Sequence, residues 1–80
     1  MTQTSKPTAA PVTDVRTAER MVTEISALAG GGEHYQATFL EADLWEGVLE
    51  AVAGGHAQAA YLATAALKSK EIDFPRQKIA

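Results

Sequence analysis

The residue types able to do chemistry are few in this chain: His34 and His56, Tyr35 and Tyr61, and one carboxylate, Glu41, set among apolar neighbours. Cysteine is absent, which removes disulfides, thiolate metal sites and a thiol nucleophile together and leaves the redox compartment open. Imidazole and carboxylate are metal ligands, but His34 and Glu41 stand about two helical turns apart, roughly 10 Å of rise, too far to hold one ion from a single straight helix. A metal site on His34, Glu41 and His56 therefore needs ligands delivered by a second helix or subunit, with Glu24 as a further contributor. Haem is the other chemistry open to these side chains. His34, Tyr35, His56 and Tyr61 are of the types that bind its iron axially, and Phe39 and Trp45 supply walls. No Cys-x-x-Cys-His attachment motif is present. The competing structural reading is simpler: Glu41 pairs with an Arg or Lys across an interface, and each histidine caps a helix start, because each follows closely on a glycine cluster. Ser26 and Ser69 have no Gly-x-Ser-x-Gly elbow around them, and Gly30-Gly31-Gly32 is not followed by Gly-Lys-Ser/Thr, so neither a serine nucleophile nor a phosphate loop is indicated.

The elements that position these residues are marked by Gly30-Gly31-Gly32 and Gly54-Gly55. Glycine loses the most backbone entropy on ordering and readily takes positive φ, so runs of it mark helix ends and turns. Three helices follow, over about 14–29, 33–53 and 56–70, and the fold class is all-α. In the first, Val15, Ala18, Val22, Ile25 and Ala29 form a narrow apolar stripe flanked by Met21 and Leu28, with Thr13 or Asp14 as N-cap. The third is alanine-rich, with Lys68 and Lys70 at the end of the dipole that favours cations. Two consecutive glycines cost about 2 kcal/mol relative to alanine inside a helix, which predicts a break or kink at Gly54-Gly55. Residues 1–12, rich in Thr, Pro and Ala, read as a disordered arm, 13–70 as the helical domain and 71–80 as an extended tail. Pro75 keeps Phe74 out of the α region. Ile72 and Phe74 then dock either across the chain's own bundle or into a neighbouring subunit.

The middle helix carries the most apolar surface. Phe39, Leu40, Leu44, Trp45, Val48, Leu49 and Val52 cover over half its circumference, while Gln36, Asp43, Glu46 and Glu50 crowd into the rest. A helix facing one partner needs an apolar arc of only about 100–140°. An arc this wide predicts burial on two sides, once by a helix of the same chain and once by another subunit. Phe39, Trp45, Val48 and Leu49 are the expected contact residues of a homo-oligomer or of a complex with another protein.

Trp45-Glu46-Gly47 resembles the Trp-x-Gly element of the small secreted helical-hairpin proteins of that name. In that family the element marks the turn between two helices, so the resemblance implies a turn here. The chain departs from the family pattern: the element falls within a helical run from Phe39 to Ala53, and Tyr61 is followed four residues later by Ala65 rather than by Asp or Glu.

At 80 residues the chain has room for one domain at most. A chain of this size buries about 60–65% of its unfolded surface, so oligomerisation or a cofactor is the expected supplement to its stability. A net charge of −3 argues against nucleic-acid binding, which needs Lys and Arg to neutralise phosphates. No apolar run approaches the roughly 20 residues that span a bilayer, and the start of the chain lacks a secretory pattern, which predicts a cytoplasmic protein. Two functions remain: a self-associating helical accessory protein, adaptor or assembly factor, or a haem- or metal-dependent oligomeric enzyme.

Overall fold

Both glycine clusters end helices, by the same hydrogen-bond pattern. In the computed structural model, which describes residues 12–76, α1 runs Val15–Gly30, α2 His34–Ala53 and α3 Ala59–Leu67, and a 3-10 turn covers Lys68–Glu71. Gly32 and Gly55 take φ of 84° and 79°. The next amide then folds back: Glu33 N donates to Leu28 O at 2.9 Å and His56 N to Ala51 O at 3.0 Å. Gly32 N and Gly55 N close the inner bonds, to Ala29 O at 3.2 Å and Val52 O at 3.0 Å. These are Schellman closures, which satisfy carbonyls that a helix end leaves without partners and need a left-handed residue at one position.

All three helices pack on one another, and among the described residues there is no strand. The core joins Ala18 and Ile25 of α1, Ala37, Leu44, Val48 and Ala51 of α2, and Leu62, Ala65 and Ala66 of α3. The α1 stripe faces inward as its spacing requires: Val15, Val22 and Ala29 of the stripe and the flanking Met21 and Leu28 are partly buried against the core. Alanine on α2 and α3 lets these backbones approach closely. Asp14 stands at the N-cap with extended φ and ψ, yet its carboxylate accepts from the Thr17 hydroxyl at 3.2 Å instead of a helix amide.

Two boundaries differ from the sequence reading. The third helix begins at Ala59 rather than His56, because His56 takes up the preceding amides: its Nδ1 accepts from Gln58 N at 3.0 Å and its carbonyl from Ala59 N at 3.1 Å. At the other end the helix tightens to 3-10 geometry over Lys68–Glu71. That turn sets Ser69 inside the molecule.

The expected disordered arm over 1–12 lies outside the described residues except for Val12. That residue is packed, not loose: it is buried in the core and its N–H donates to Gly47 O at 2.9 Å. Of the tail, residues 77–80 lie outside the described part, while Ile72 and Phe74 lie across the chain's own bundle.

Candidate functional site

Two features of α2 are the candidates: a polar clasp on one side, and an exposed seam on the other.

The clasp begins with a carboxylate that the helix turns toward apolar surroundings. A buried unpaired Glu is costly, so it must find donors. Glu41 finds them in its own chain. Arg76 reaches it with Nε to Oε1 at 3.1 Å and Nη2 to Oε2 at 3.0 Å, and Ser69 Oγ donates to Oε2 at 2.8 Å. Trp45 Nε1 donates in turn to Ser69 Oγ at 2.9 Å. The remaining guanidinium hydrogens go to backbone carbonyls, from Nη1 to Ile72 O and Phe74 O and from Nη2 to Ser69 O. The guanidinium carbon sits 4.0 Å from the centroid of the Phe74 ring. Burial alone would push the Glu41 carboxyl up, but the hydrogen bonds from Arg76 and Ser69 and the charge of Arg76 outweigh it and hold it below its ordinary value. The same carboxylate raises Arg76. Beside the clasp lies an open recess of about 480 Å³, lined by Thr38, Glu41, Ala42, Trp45, Lys70 and Arg76.

Chemically, this arrangement holds a tail in place. Ser69 is fully buried and donates its proton to a carboxylate already engaged by arginine, which suits an anchor, not a nucleophile. The Arg or Lys that Glu41 was expected to find across an interface is instead Arg76 of its own chain.

The other residues expected to do chemistry are engaged separately. His34 lies with its ring 6.1 Å from that of Phe74, tilted by 35°. His56 supports the turn before α3. Tyr35 stacks on Phe39 at 5.5 Å, and Tyr61 is exposed on α3. Among the described residues no group of three or more His, Asp or Glu side chains is gathered to hold a metal ion. Trp45-Glu46-Gly47 lies in the middle of α2, and the turn that the resemblance would place there stands at Gly54-Gly55.

The expected contact residues divide. Val48 is 2% exposed, inside the core, and so leaves the outer face. Trp45 is half-buried with its indole N–H bonded to Ser69. Phe39 and Leu49 stay outside, at 49% and 58% exposure. The wide apolar arc of α2 is thus two stripes, one inward and one outward.

The outward stripe has a regular period. Tyr35, Phe39, Ala42, Glu46, Leu49 and Ala53 follow at spacings of 4, 3, 4, 3 and 4, and all are exposed. Alternating steps of three and four are the seam of helix-on-helix packing. Tyr35, Ala42 and Ala53 were legible as part of it from spacing alone, but hydrophobicity drew attention to the larger inward residues. Asp43 and Glu50 flank the seam on one side, and Glu46 stands within it. A shallow depression of about 530 Å³ runs along Glu46, Leu49, Glu50 and Ala53. Among the described residues, no helix is long and apolar enough to cross a membrane. No protein-family model matches this chain, and neither a curated protein nor a solved structure does.

Proposed function

We propose that this protein works by binding, as a small helical accessory or adaptor protein whose contact surface is the outward seam of α2. One observation carries this reading: six exposed positions on a single helix follow the 4-3-4-3-4 spacing of a packing seam, and five of the six are apolar or alanine. Contiguous exposed apolar surface rimmed by polar residues marks interaction sites, and a seam of this period suits a helix laid alongside. Phe39 and Leu49 are the anchors, Tyr35 extends the contact toward the start of α2, and the alanines give a partner backbone room to approach. The inner half of α2 already completes the core, so the seam is surplus to folding.

The test replaces Phe39 and Leu49 by serine together in the full chain. Exposed positions tolerate such a change, so helicity by circular dichroism stays at the wild-type level. Sedimentation equilibrium and affinity capture are then compared. The wild-type chain is expected to associate, with itself or with a retained protein, and the double variant to lose that association by at least about tenfold, as for anchor residues of an interface. A wild-type chain that sediments as a monomer, and retains the same proteins as the double variant, would refute the reading.

A further inference from the structure

The seam has a charge as well as a shape. From Met21 to Leu67 the chain contains no lysine or arginine, while Glu24, Glu33, Glu41, Asp43, Glu46 and Glu50 all fall in that stretch. Glu41 is neutralised by Arg76. Asp43, Glu46 and Glu50 stand exposed at steps of three and four on the outer side of α2, where like charges repel one another. At the start of the seam, Tyr35 and Phe39 present a stacked, exposed aromatic pair, and aromatic ring faces attract Lys and Arg. Carboxylates along one end and ring faces at the other select the same chemistry in a partner.

Resting on the binding role assigned to the seam, we infer that its occupant is a basic amphipathic helix of a different protein: apolar along its own seam, with Lys or Arg on the flanks. A second copy of this chain fits less well. Parallel pairing stacks Glu46 on Glu46. Antiparallel pairing sets Phe39 against Leu49 and Tyr35 against Ala53, but it turns the flank bearing Asp43 and Glu50 onto the identical flank of the second copy. The antiparallel arrangement gathers the carboxylates of both copies on that flank, and the parallel one stacks them at the centre of the seam, with Lys70 standing on the opposite flank beside Ala42 and Trp45. Anionic partners such as nucleic acid or acidic lipid are disfavoured for the same reason. A cationic flank removes the repulsion within α2 and adds attraction across the interface, which fixes register and speeds encounter.

The experiment titrates the full chain with two synthetic helical peptides of about 20 residues, long enough to span the seam. They share one Leu/Ala seam, and one is flanked by Lys and Arg, the other by Glu. The basic peptide is expected to bind at least about tenfold more tightly, and to weaken several-fold between about 50 and about 300 mM salt as the flank pairs are screened. Glu46→Gln with Glu50→Gln is expected to cost the basic peptide about fivefold, the sum of two rim pairs. Glu19→Gln with Glu24→Gln on α1 changes net charge equally and is expected to leave binding unchanged, which separates a local site from bulk attraction. Equal affinity for the two peptides, or equal losses in the two double variants, would overturn the charge assignment while leaving the seam as a binding face. Failure of both peptides alongside dimerisation that Leu49→Ser abolishes would assign the seam to a second copy and overturn the inference alone. Failure of both peptides with a monomeric chain would overturn the inference, and if that chain also retains the same proteins as the Phe39/Leu49 double variant the binding role falls with it.

Discussion

The two faces of α2 are made from the same helix and obey different rules. Facing inward, Leu44 and Val48 are buried, Glu41 is met by three donors from two side chains, and among the described residues no buried side-chain polar atom lacks a hydrogen-bond partner. Facing outward, Tyr35, Phe39 and Leu49 lie in solvent, and three carboxylates follow one another with no cation on the helix. The inward face has the composition that folding selects. The outward one repels itself and exposes apolar area, and neither property helps an isolated chain. The binding role proposed for the seam would account for what folding does not require of that face.

The sharpest way to test the division is to truncate one leucine on each side. Leu44 is fully buried and Leu49 is 58% exposed. Leu44→Ala removes buried methyl groups and leaves a cavity, so it is expected to cost about 2–5 kcal/mol in urea unfolding. Leu49→Ala is expected to change stability by no more than about 0.5 kcal/mol, as at an exposed site, while weakening association. Comparable losses from the two substitutions would mean that the outer face is part of the folding core after all, and the distinction between the faces would collapse.

The clasp comes next in size. Glu41→Gln keeps the shape of the side chain but removes the charge that Arg76 engages with two nitrogens. The Arg76 side chain is 37% exposed and that of Glu41 14%, so screening by solvent limits the loss to about 1 kcal/mol. Its pH dependence has a definite sign. The carboxyl of Glu41 is held below its ordinary value of 4.5 in the folded chain. Its stabilisation is therefore complete above that value and is lost as pH falls through the lower, folded one. The melting-temperature gap between wild type and Glu41→Gln should stay constant from neutral pH to about 5 and close in more acid solution. A gap that closes above pH 5 would show that another group controls the clasp.

The sequence spoke clearly about the elements whose signals are local. The glycine clusters announced both helix ends because a Schellman closure needs φ near 80°, which only glycine adopts cheaply. The spacing of Val15, Ala18, Val22, Ile25 and Ala29 announced the inner stripe of α1. That Glu41 needed a partner was legible from its apolar company, but not that the partner is Arg76, because that pairing depends on how the chain turns at Ser69 and Pro75. Val48 was misplaced for a related reason: an arc of more than half a helix says that two sides are apolar, and only the packing of α1 and α3 decides which side is which. The third helix starts late because His56 caps its own turn, a side-chain-to-backbone bond that periodicity does not reveal.

The smallest expected effect has the opposite sign to the others, and it separates the faces most directly. Glu46 lies three residues after Asp43 and four before Glu50. Glu46→Lys turns two repulsions into two attractions on the helix surface. It should raise stability: the swing from repulsion to attraction is about 0.4–1 kcal/mol per pair. Because Lys ahead of Glu50 is the weaker orientation, the total is expected at the low end, below about 1 kcal/mol, and less at high salt. On the inward face no such gain is available, since Glu41 already has its counter-ion. A chain whose outer face can be stabilised by one exposed substitution is not tuned there for stability alone. If the seam receives a cationic helix, the same substitution also weakens that contact, so the variant gains in melting temperature while losing affinity for the basic peptide. Loss of stability on Glu46→Lys would show that Glu46 already has a favourable partner in the folded chain, and the contrast between the two faces would lose its electrostatic half.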